Sequence, residues 1–321
     1  MNYLSVCSGI EAATVAWHPL DWKAVAYSEI EKFPSEVLAH HYPNTPNVGD
    51  MTKFKEWNLG TNVDLLVGGT PCQSFSVAGL RKGLDDPRGN LMLTYLAIAK
   101  QYRPNWLVWE NVPGVLSSNG GRDFGSFLGG LAECGYGFAY RVLDAQYFGV
   151  AQRRRRVFVV GYLGDWRPAA AVLFERHSLS GNPAPRRETR KKTTPTIGTG
   201  VNVSYDMKQH HNPQNAMAVA FGFDAYNQTI QGEVNQPLRV SSAPGQVDAV
   251  GGIVQGMAVR RLTPVECERL QGFGDNYTDI KSKNKPTPDG PRYKALGNSM
   301  AVPVMRWIGE RIKAYEFQIE R

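Results

Sequence analysis

Over its first 165 residues the chain repeats one spacing: short apolar runs of strand length, separated by segments long enough for a helix. Tyr3–Cys7, Lys23–Tyr27, Val63–Val67, Trp106–Trp109, Ala139–Leu143 and Val157–Tyr162 read as strands. Residues 11–17, 34–41, 91–101 and 124–134 read as helices. Pro34 suits a first turn, and Gly135 closes the last of these helices. Strands alternating with helices of this size predict an α/β fold with a doubly wound, mostly parallel sheet. Such sheets bind ligands beyond the carboxyl ends of their strands. Isolated polar residues stand at those ends: Glu11, Glu29, Asp50 after a weaker third strand, Cys72 and Glu110.

The pattern breaks near residue 165. Residues 183–256 are rich in Pro, Gly, Ser, Thr, Asn and Gln and lack helix periodicity. They open on a basic run containing Arg186, Arg187, Arg190, Lys191 and Lys192. This stretch reads as an insertion of short strands and long loops. Regular signals return at Leu262. Thr263-Pro264-Val265-Glu266 combines a capping box with proline at the first helical position, and that helix should stop at Gly272. A further helix begins near Asn298-Ser299, with Val302, Met305, Ile308 and Ile312 on one face that packs on the sheet. The expected division is an α/β domain over 1–165, a smaller inserted domain over 166–275, and a segment over 276–321 returning to the first.

Charge follows this division. Residues 1–150 carry 11 basic and 14 acidic side chains, net −3, whereas residues 151–321 carry 25 and 15, net +10. A basic rear half points to a polyanion, most simply nucleic acid; the plain alternative is uneven charge on an ordinary enzyme surface. No apolar run of about 18 residues marks a membrane span, and the N-terminus lacks a signal-peptide pattern, so a cytoplasmic location is expected. The four cysteines, Cys7, Cys72, Cys134 and Cys267, form no C-x-x-C pair, so neither a metal site nor a disulfide framework is expected.

Three strand ends carry the residues that could do chemistry. Cys72 lies on the loop Gly68-Gly69-Thr70-Pro71-Cys72-Gln73, displayed where the other three cysteines fall in or beside core patterns. A displayed thiol becomes a nucleophile once nearby cations or a helix N-terminus lower its pKa from about 8.5. Glu110 ends another strand; a carboxylate there caps a helix, holds a ribose, or handles a proton beside Cys72. Arg153, Arg154, Arg155 and Arg156 enter a third strand as a basic run that can grip phosphates. Strand alternation puts Arg154 and Arg156 on one side, toward the cleft, with Arg153 and Arg155 facing outward. Ser8-Gly9-Ile10, Glu29 and Asp50 together fit an adenosine-bearing ligand.

In this order and spacing the residues resemble the cytosine carbon-5 DNA methyltransferase family, of the bacterial or phage and prophage type. The motifs are VCSGIEAA (6–13), YSEIEK (27–32), GDMT (49–52), GGTPCQSFS (68–76), RGNLM (88–92), WENVPG (109–114), QRRRRVFVVG (152–161), RLTPVECERLQGF (261–273) and ALGNSMAVP (295–303). The resemblance runs from residue 4 to about 312, except for the variable stretch 165–258. Two departures stand out. Cys7 and Glu11-Ala12 replace an aromatic residue and two glycines of the family's first motif, and Gly274 replaces a proline before Asp275.

The resemblance implies a Rossmann-like methyltransferase that takes a methyl group from S-adenosylmethionine and places it on carbon 5 of a cytosine flipped out of double-stranded DNA. Cys72 would attack carbon 6, which turns carbon 5 into a nucleophile. Glu110 would hold ring nitrogen 3 and the exocyclic amine. Arg156 would contact the cytosine carbonyl, and Arg154 would organise the cleft and a nearby phosphate. Ser8, Gly9, Ile10, Glu29, Ile30, Asp50, Leu91, Asn298 and Ser299 match the cofactor positions. Gln73, Ser74 and Ser76 belong to a lid over the flipped base. Together with Arg153, Arg155 and the basic residues of 186–192 they form the expected DNA contacts, the insertion acting as the target-recognition domain. A monomer is expected, in a restriction-modification or phage-protective setting.

Rival readings make different demands. The RNA-modifying branch of the family carries a Cys-Phe-Thr motif in its recognition region, and no cysteine occurs here between Cys134 and Cys267. A DNA-binding protein without activity would not need Cys72, Glu110, Arg154 and Arg156 together. A nicotinamide-dependent oxidoreductase shares the sheet but gives no reason for Cys72 or the arginines.

Overall fold

A computed structural model of the chain describes residues 1–71, 90–174, 258–280 and 287–319, with short strand pieces between 219 and 255. Six strands form the main sheet: β1 (Asn2–Val6), β2 (Lys23–Ser28), β3 (Leu65–Gly68), β4 (Trp106–Asn111), β5 (Tyr136–Asp144) and β6 (Arg155–Leu163). Their order is β2-β1-β3-β4-β6-β5. The first four run parallel, and β6 is antiparallel to both its neighbours. From β1 the chain steps outward to β2, then returns to the other side of β1 at β3. At such a reversal the two connections leave in opposite directions and open a crevice at the strands' carboxyl ends.

Side chains of one strand alternate between two separate cores, as the period of 2 requires. Tyr3, Leu65, Val67, Trp106, Val108, Phe158 and Val160 face one way. They meet α1 (Ala12–Trp17), α5 (Arg167–Leu173) and α8 (Val302–Ile319). Leu4, Val6, Leu66, Leu107, Trp109, Val157 and Val159 face the other way, against α3 (Leu91–Tyr102) and α4 (Arg122–Glu133). Burial on both faces explains why these strands read as continuous apolar runs. The fourfold pattern Val302, Met305, Ile308 and Ile312 is buried as its spacing requires. Helix α6 (Pro264–Gln271) starts with a capping box between Thr263 and Glu266 and ends at Gly272.

Some elements differ from the sequence reading. The weak strand expected before Asp50 is only an isolated parallel bridge between Tyr27 and Asn47, because the proline-flanked segment is too short to pair further. Asp50 instead caps a short 3-10 turn, its side chain accepting from the Thr52 amide at 2.9 Å. Two further helices are α2 (Lys32–His41) and α7 (Asp289–Asn298), the latter without a sequence signal strong enough to foresee. Helix α5 packs on β5, β6 and α8, and Leu262, Cys267 and Phe273 share the core of α8. The described ends of the stretch 166–275 therefore pack with the main sheet. Between them lie short antiparallel pairings: β10 (Gly252–Gln255) with both β7 (Val219–Phe221) and β11 (Ala258–Arg261), and β8 (Phe223–Asp224) with β9 (Thr229–Ile230). Among the described residues no helix is long and apolar enough to cross a membrane.

One close approach sets the crevice's geometry. Helix α1 follows the Ser8–Glu11 loop, and α8 follows the Asn298–Met300 turn. The two helices meet where fully buried Trp17 lies against Gly309. The indole Nε1 donates to the Met305 carbonyl at 2.8 Å, so the ring cannot swing away. A Cβ on residue 309 would come within 2.4 Å of that ring. Replacing Gly309 with valine should therefore overpack the contact and cost about 1–3 kcal/mol. Urea denaturation would show it as a lowered midpoint with an unchanged slope.

Candidate active site

A pocket opens at the strand-order reversal. Its floor is Ser5 on β1 and Val67 on β3; its walls are the Cys7–Gly9 loop, Glu11, Gly69, Glu110 and the Asn298–Met300 turn. Ser5, Val67 and Glu110 lie on the face that also carries Tyr3, Leu65 and Val108, so strand alternation aims all three the same way.

The Gly69 loop and the end of β4 are tied together. Trp109 Nε1 donates to Thr70 Oγ1 at 3.0 Å, and Asn111 Nδ2 donates to the Thr70 carbonyl at 2.8 Å. All three residues are buried. Glu110, between Trp109 and Asn111, points to the opposite face, into the pocket. A Cβ on residue 69 would sit 2.9 Å from Glu110 Oε2, so a side chain there would push this carboxylate from its place. Thr70 is two residues before Cys72. Cys72 itself, with Gln73, Ser74 and Ser76, lies outside the described residues.

Glu110 is ion-paired with Arg156, whose Nε is 2.9 Å from Oε1. Burial pushes the Glu110 carboxyl above its ordinary range, and the charges of Arg156 and Arg154 oppose that rise without cancelling it. Arg154 and Arg156 are indeed turned inward, Arg154 being 2% exposed, while Arg153 and Arg155 are exposed. Arg154 Nη2 donates to the carbonyls of Gly297 at 3.0 Å and Ser299 at 2.5 Å. Its described contacts thus brace the Asn298–Met300 turn from beneath. Burial, then the neighbouring Arg156 charge, lowers its pKa to about 9.

The residues expected to hold a cofactor divide by position. Ser8, Gly9, Asn298 and Ser299 line the pocket. Glu29, at the end of β2, accepts from the Gly9 amide at 2.8 Å and the Glu31 amide at 2.7 Å, which fixes its carboxylate at the pocket's edge. Ile30 beside it is 72% exposed. Asp50 and Leu91 start the turn and the helix beyond β2 and β3 and are half-buried. Ile10 is fully buried in the core, and its carbonyl accepts from the Tyr277 hydroxyl at 2.9 Å. A long ligand with an adenosine end at Glu29 and Ile30 and a reactive end toward Glu110 fits this distribution. S-adenosylmethionine has this form, and its ribose hydroxyls suit a fixed carboxylate acceptor.

Sequence reasoning did not assign roles to Thr70, Asn111 or Met300. Only the pairing of β3 with β4 brings the first two together. Cys7 also departs from its expected core place: it lines the pocket, where burial and the Glu29 charge raise its thiol to about 12. Cys134 and Cys267 are buried, as their core patterns predict. The basic residues of 186–192 lie outside the described residues.

Comparison with known proteins identifies the family. The family described as C-5 cytosine-specific DNA methylase matches residues 1–314. A protein of Escherichia phage P1, named DNA N-6-adenine-methyltransferase, is 36% identical over 97% of this chain. The alignment takes in 61% of that phage protein's own length. Type II methyltransferase M.SsoII of Shigella sonnei is 30% identical over 96% of this chain and 79% of its own. The fold matches the crystal structure of the S. pombe Dnmt2 methyltransferase with a TM-score of 0.61 and 16% identity, covering 100% of both chains. The chain belongs to the C-5 cytosine-specific DNA methylase family, whose reaction carries a methyl group from S-adenosylmethionine to carbon 5 of cytosine in DNA.

Proposed function

We propose that this chain is a DNA (cytosine-5-)-methyltransferase in which Cys72, Glu110, Arg154 and Arg156 act on a cytosine flipped out of double-stranded DNA. The observation that carries the reading is the clasp of Thr70 by Trp109 and Asn111. It supports a fixed spacing between the Cys72 loop and the Glu110 carboxylate, with Arg156 2.9 Å from that carboxylate.

Each residue has a task that its surroundings favour. The Cys72 thiolate forms a bond to carbon 6, and the displaced ring electrons make carbon 5 nucleophilic. Glu110, held toward its acid form by burial, donates to ring nitrogen 3 and takes up charge there as the adduct forms. Arg156 lies beside it to meet the cytosine carbonyl. Arg154 holds the turn at residues 297–299 in place. S-adenosylmethionine, when bound, supplies an electrophilic methyl group. Loss of the carbon 5 proton then returns electrons to the ring and expels the Cys72 thiolate. Ser8, Gly9, Glu29, Ile30, Asp50, Leu91, Asn298 and Ser299 hold the cofactor, and Ile10 shapes its loop from the core.

The recognition region in this reading is the stretch between α5 and β11. Its basic run at 186–192, with Arg153, Arg155, Gln73, Ser74 and Ser76, grips the duplex. In this reading one chain carries the pocket and the insertion, and it acts as a monomer in the cytoplasm. The name of the phage P1 relative supports a second reading, transfer to an adenine amine. An amine takes a methyl group directly, and that reading leaves the Cys72 loop and its clasp without a task.

Expression in a methylation-free bacterium distinguishes the two. The expected product is 5-methylcytosine; N6-methyladenine alone would overturn the cytosine assignment. In vitro, Cys72→Ala should abolish methyl transfer and leave DNA binding intact. Glu110→Gln should lower kcat by ~100-fold or more, the scale of a lost general acid. Labelled methyl transfer checks both, and undiminished transfer by the cysteine variant refutes the adduct. Neutralising the basic residues of 186–192 should weaken DNA binding and flatten its salt dependence, by a slope of about 0.9 for each lost phosphate contact. Titrations at several salt concentrations read this out.

A further inference from the structure

Glu11 has an unusual position that the reaction as described leaves unused. It stands at the turn into α1 in a left-handed conformation, φ 64°, and is only 1% exposed. It lines the cofactor pocket. One carboxylate oxygen accepts from Ser5 Oγ at 2.8 Å. The other accepts from Thr14 at its amide, 3.2 Å, and its hydroxyl, 3.1 Å. All these donors are neutral. Among the described residues no cation pairs with it, and the charge it feels is that of Glu29, of the same sign. A helix cap alone needs no such placement, because an exposed serine or aspartate caps equally well. A buried carboxylate without a cation costs free energy unless something positive arrives.

We infer that Glu11 is a charge-reading residue of the cofactor pocket, favouring the cationic sulfonium of S-adenosylmethionine over the neutral thioether left after methyl transfer. This rests on assigning the pocket to S-adenosylmethionine. Transfer moves a methyl group with its positive charge's worth of electron demand to carbon 5, and the sulfur keeps the bonding pair and becomes neutral. The same carboxylate then loses its partner, so the spent cofactor is held less firmly than the fresh one.

Titration adds a second signature. Burial raises the Glu11 carboxyl to about 7, against the pull of its Ser5 and Thr14 hydrogen bonds. The groups whose charge acts with it are Glu29 after β2, Tyr3 on β1, Tyr27 on β2, Tyr42 after α2, and Tyr277. Burial pushes all four phenols up, so they stay neutral near pH 7. A cation beside Glu11 lowers its pKa, so binding the sulfonium near pH 7 releases part of a proton. Binding the thioether, which lacks the sulfonium charge, releases less.

Calorimetry on the full chain tests this with S-adenosylmethionine, S-adenosylhomocysteine, and an analogue carrying a protonated amine in place of the sulfonium. Wild type should prefer both cations over the thioether. Glu11→Gln keeps the shape and the acceptor oxygen, and should cut that preference by about tenfold. Proton release, read by repeating the titration in buffers of different ionisation enthalpy, should vanish with it. Ser5→Ala, a smaller change, removes one hydrogen bond to the carboxylate and should reduce the preference in the same direction. A folded Glu11→Gln variant with an unchanged preference overturns the inference and leaves Glu11 as a helix cap. If that variant does not fold, an unchanged or increased preference in Ser5→Ala overturns it. Failure of wild type to bind S-adenosylmethionine would instead refute the pocket assignment.

Discussion

Strand β4 ends in three consecutive residues that the pleat sends to alternate faces, and the site depends on that alternation. Trp109 and Asn111 reach sideways to Thr70, while Glu110 between them faces the pocket. The two hydrogen bonds are buried, so breaking either leaves a polar group without water, at a cost of about 1–3 kcal/mol. That makes the loop before Cys72 a fixed part of the sheet. It also explains Gly69: the loop passes so near the Glu110 carboxylate that a side chain there would displace it.

The pocket's remaining walls are fixed by the same economy of contacts. Arg154 enters at the foot of β6 and holds the carbonyls of Gly297 and Ser299. Trp17 locks α1 to α8 just beyond the two loops that line the pocket. Glu29 binds the Gly9 amide across β1 and β2. Three distant parts of the chain are thereby brought to one crevice, at the one place where the sheet's connections diverge. Charge inside the crevice is arranged in two regions. Around Glu110 a carboxylate meets arginines; around Glu11 a carboxylate meets only neutral donors. The first suits proton handling, and the second suits a ligand that brings its own positive charge.

Much of this was legible in the sequence. The alternating apolar runs gave the sheet, because strands buried on both faces must be apolar throughout. The polar residues ending those runs gave the crevice, and the alternation of Arg153–Arg156 gave the inward pair. The parts missed have physical causes. The segment before Asp50 makes only one bridge, because the run itself is too short to pair further along β2. Helix α7 carries glycine and proline near its start, which local propensity counts against it. The ends of the stretch 166–275 read as part of an insertion, yet their apolar residues join the core of the main sheet.

The sequence alone determined which chemical groups this protein has and the order of the strand ends that bear them: a thiol, a carboxylate and arginines on three loops. Local patterning fixes these, since the period of a strand and the residues of a turn act over a few positions. Tertiary structure decided which groups meet. The reach from Asn111 to Thr70, from Arg154 to Ser299 and from Glu11 to Ser5 depends on strand order and helix packing, which no local pattern contains. So did the proton affinities of Glu110 and Glu11, because burial sets them, and burial belongs to the folded whole.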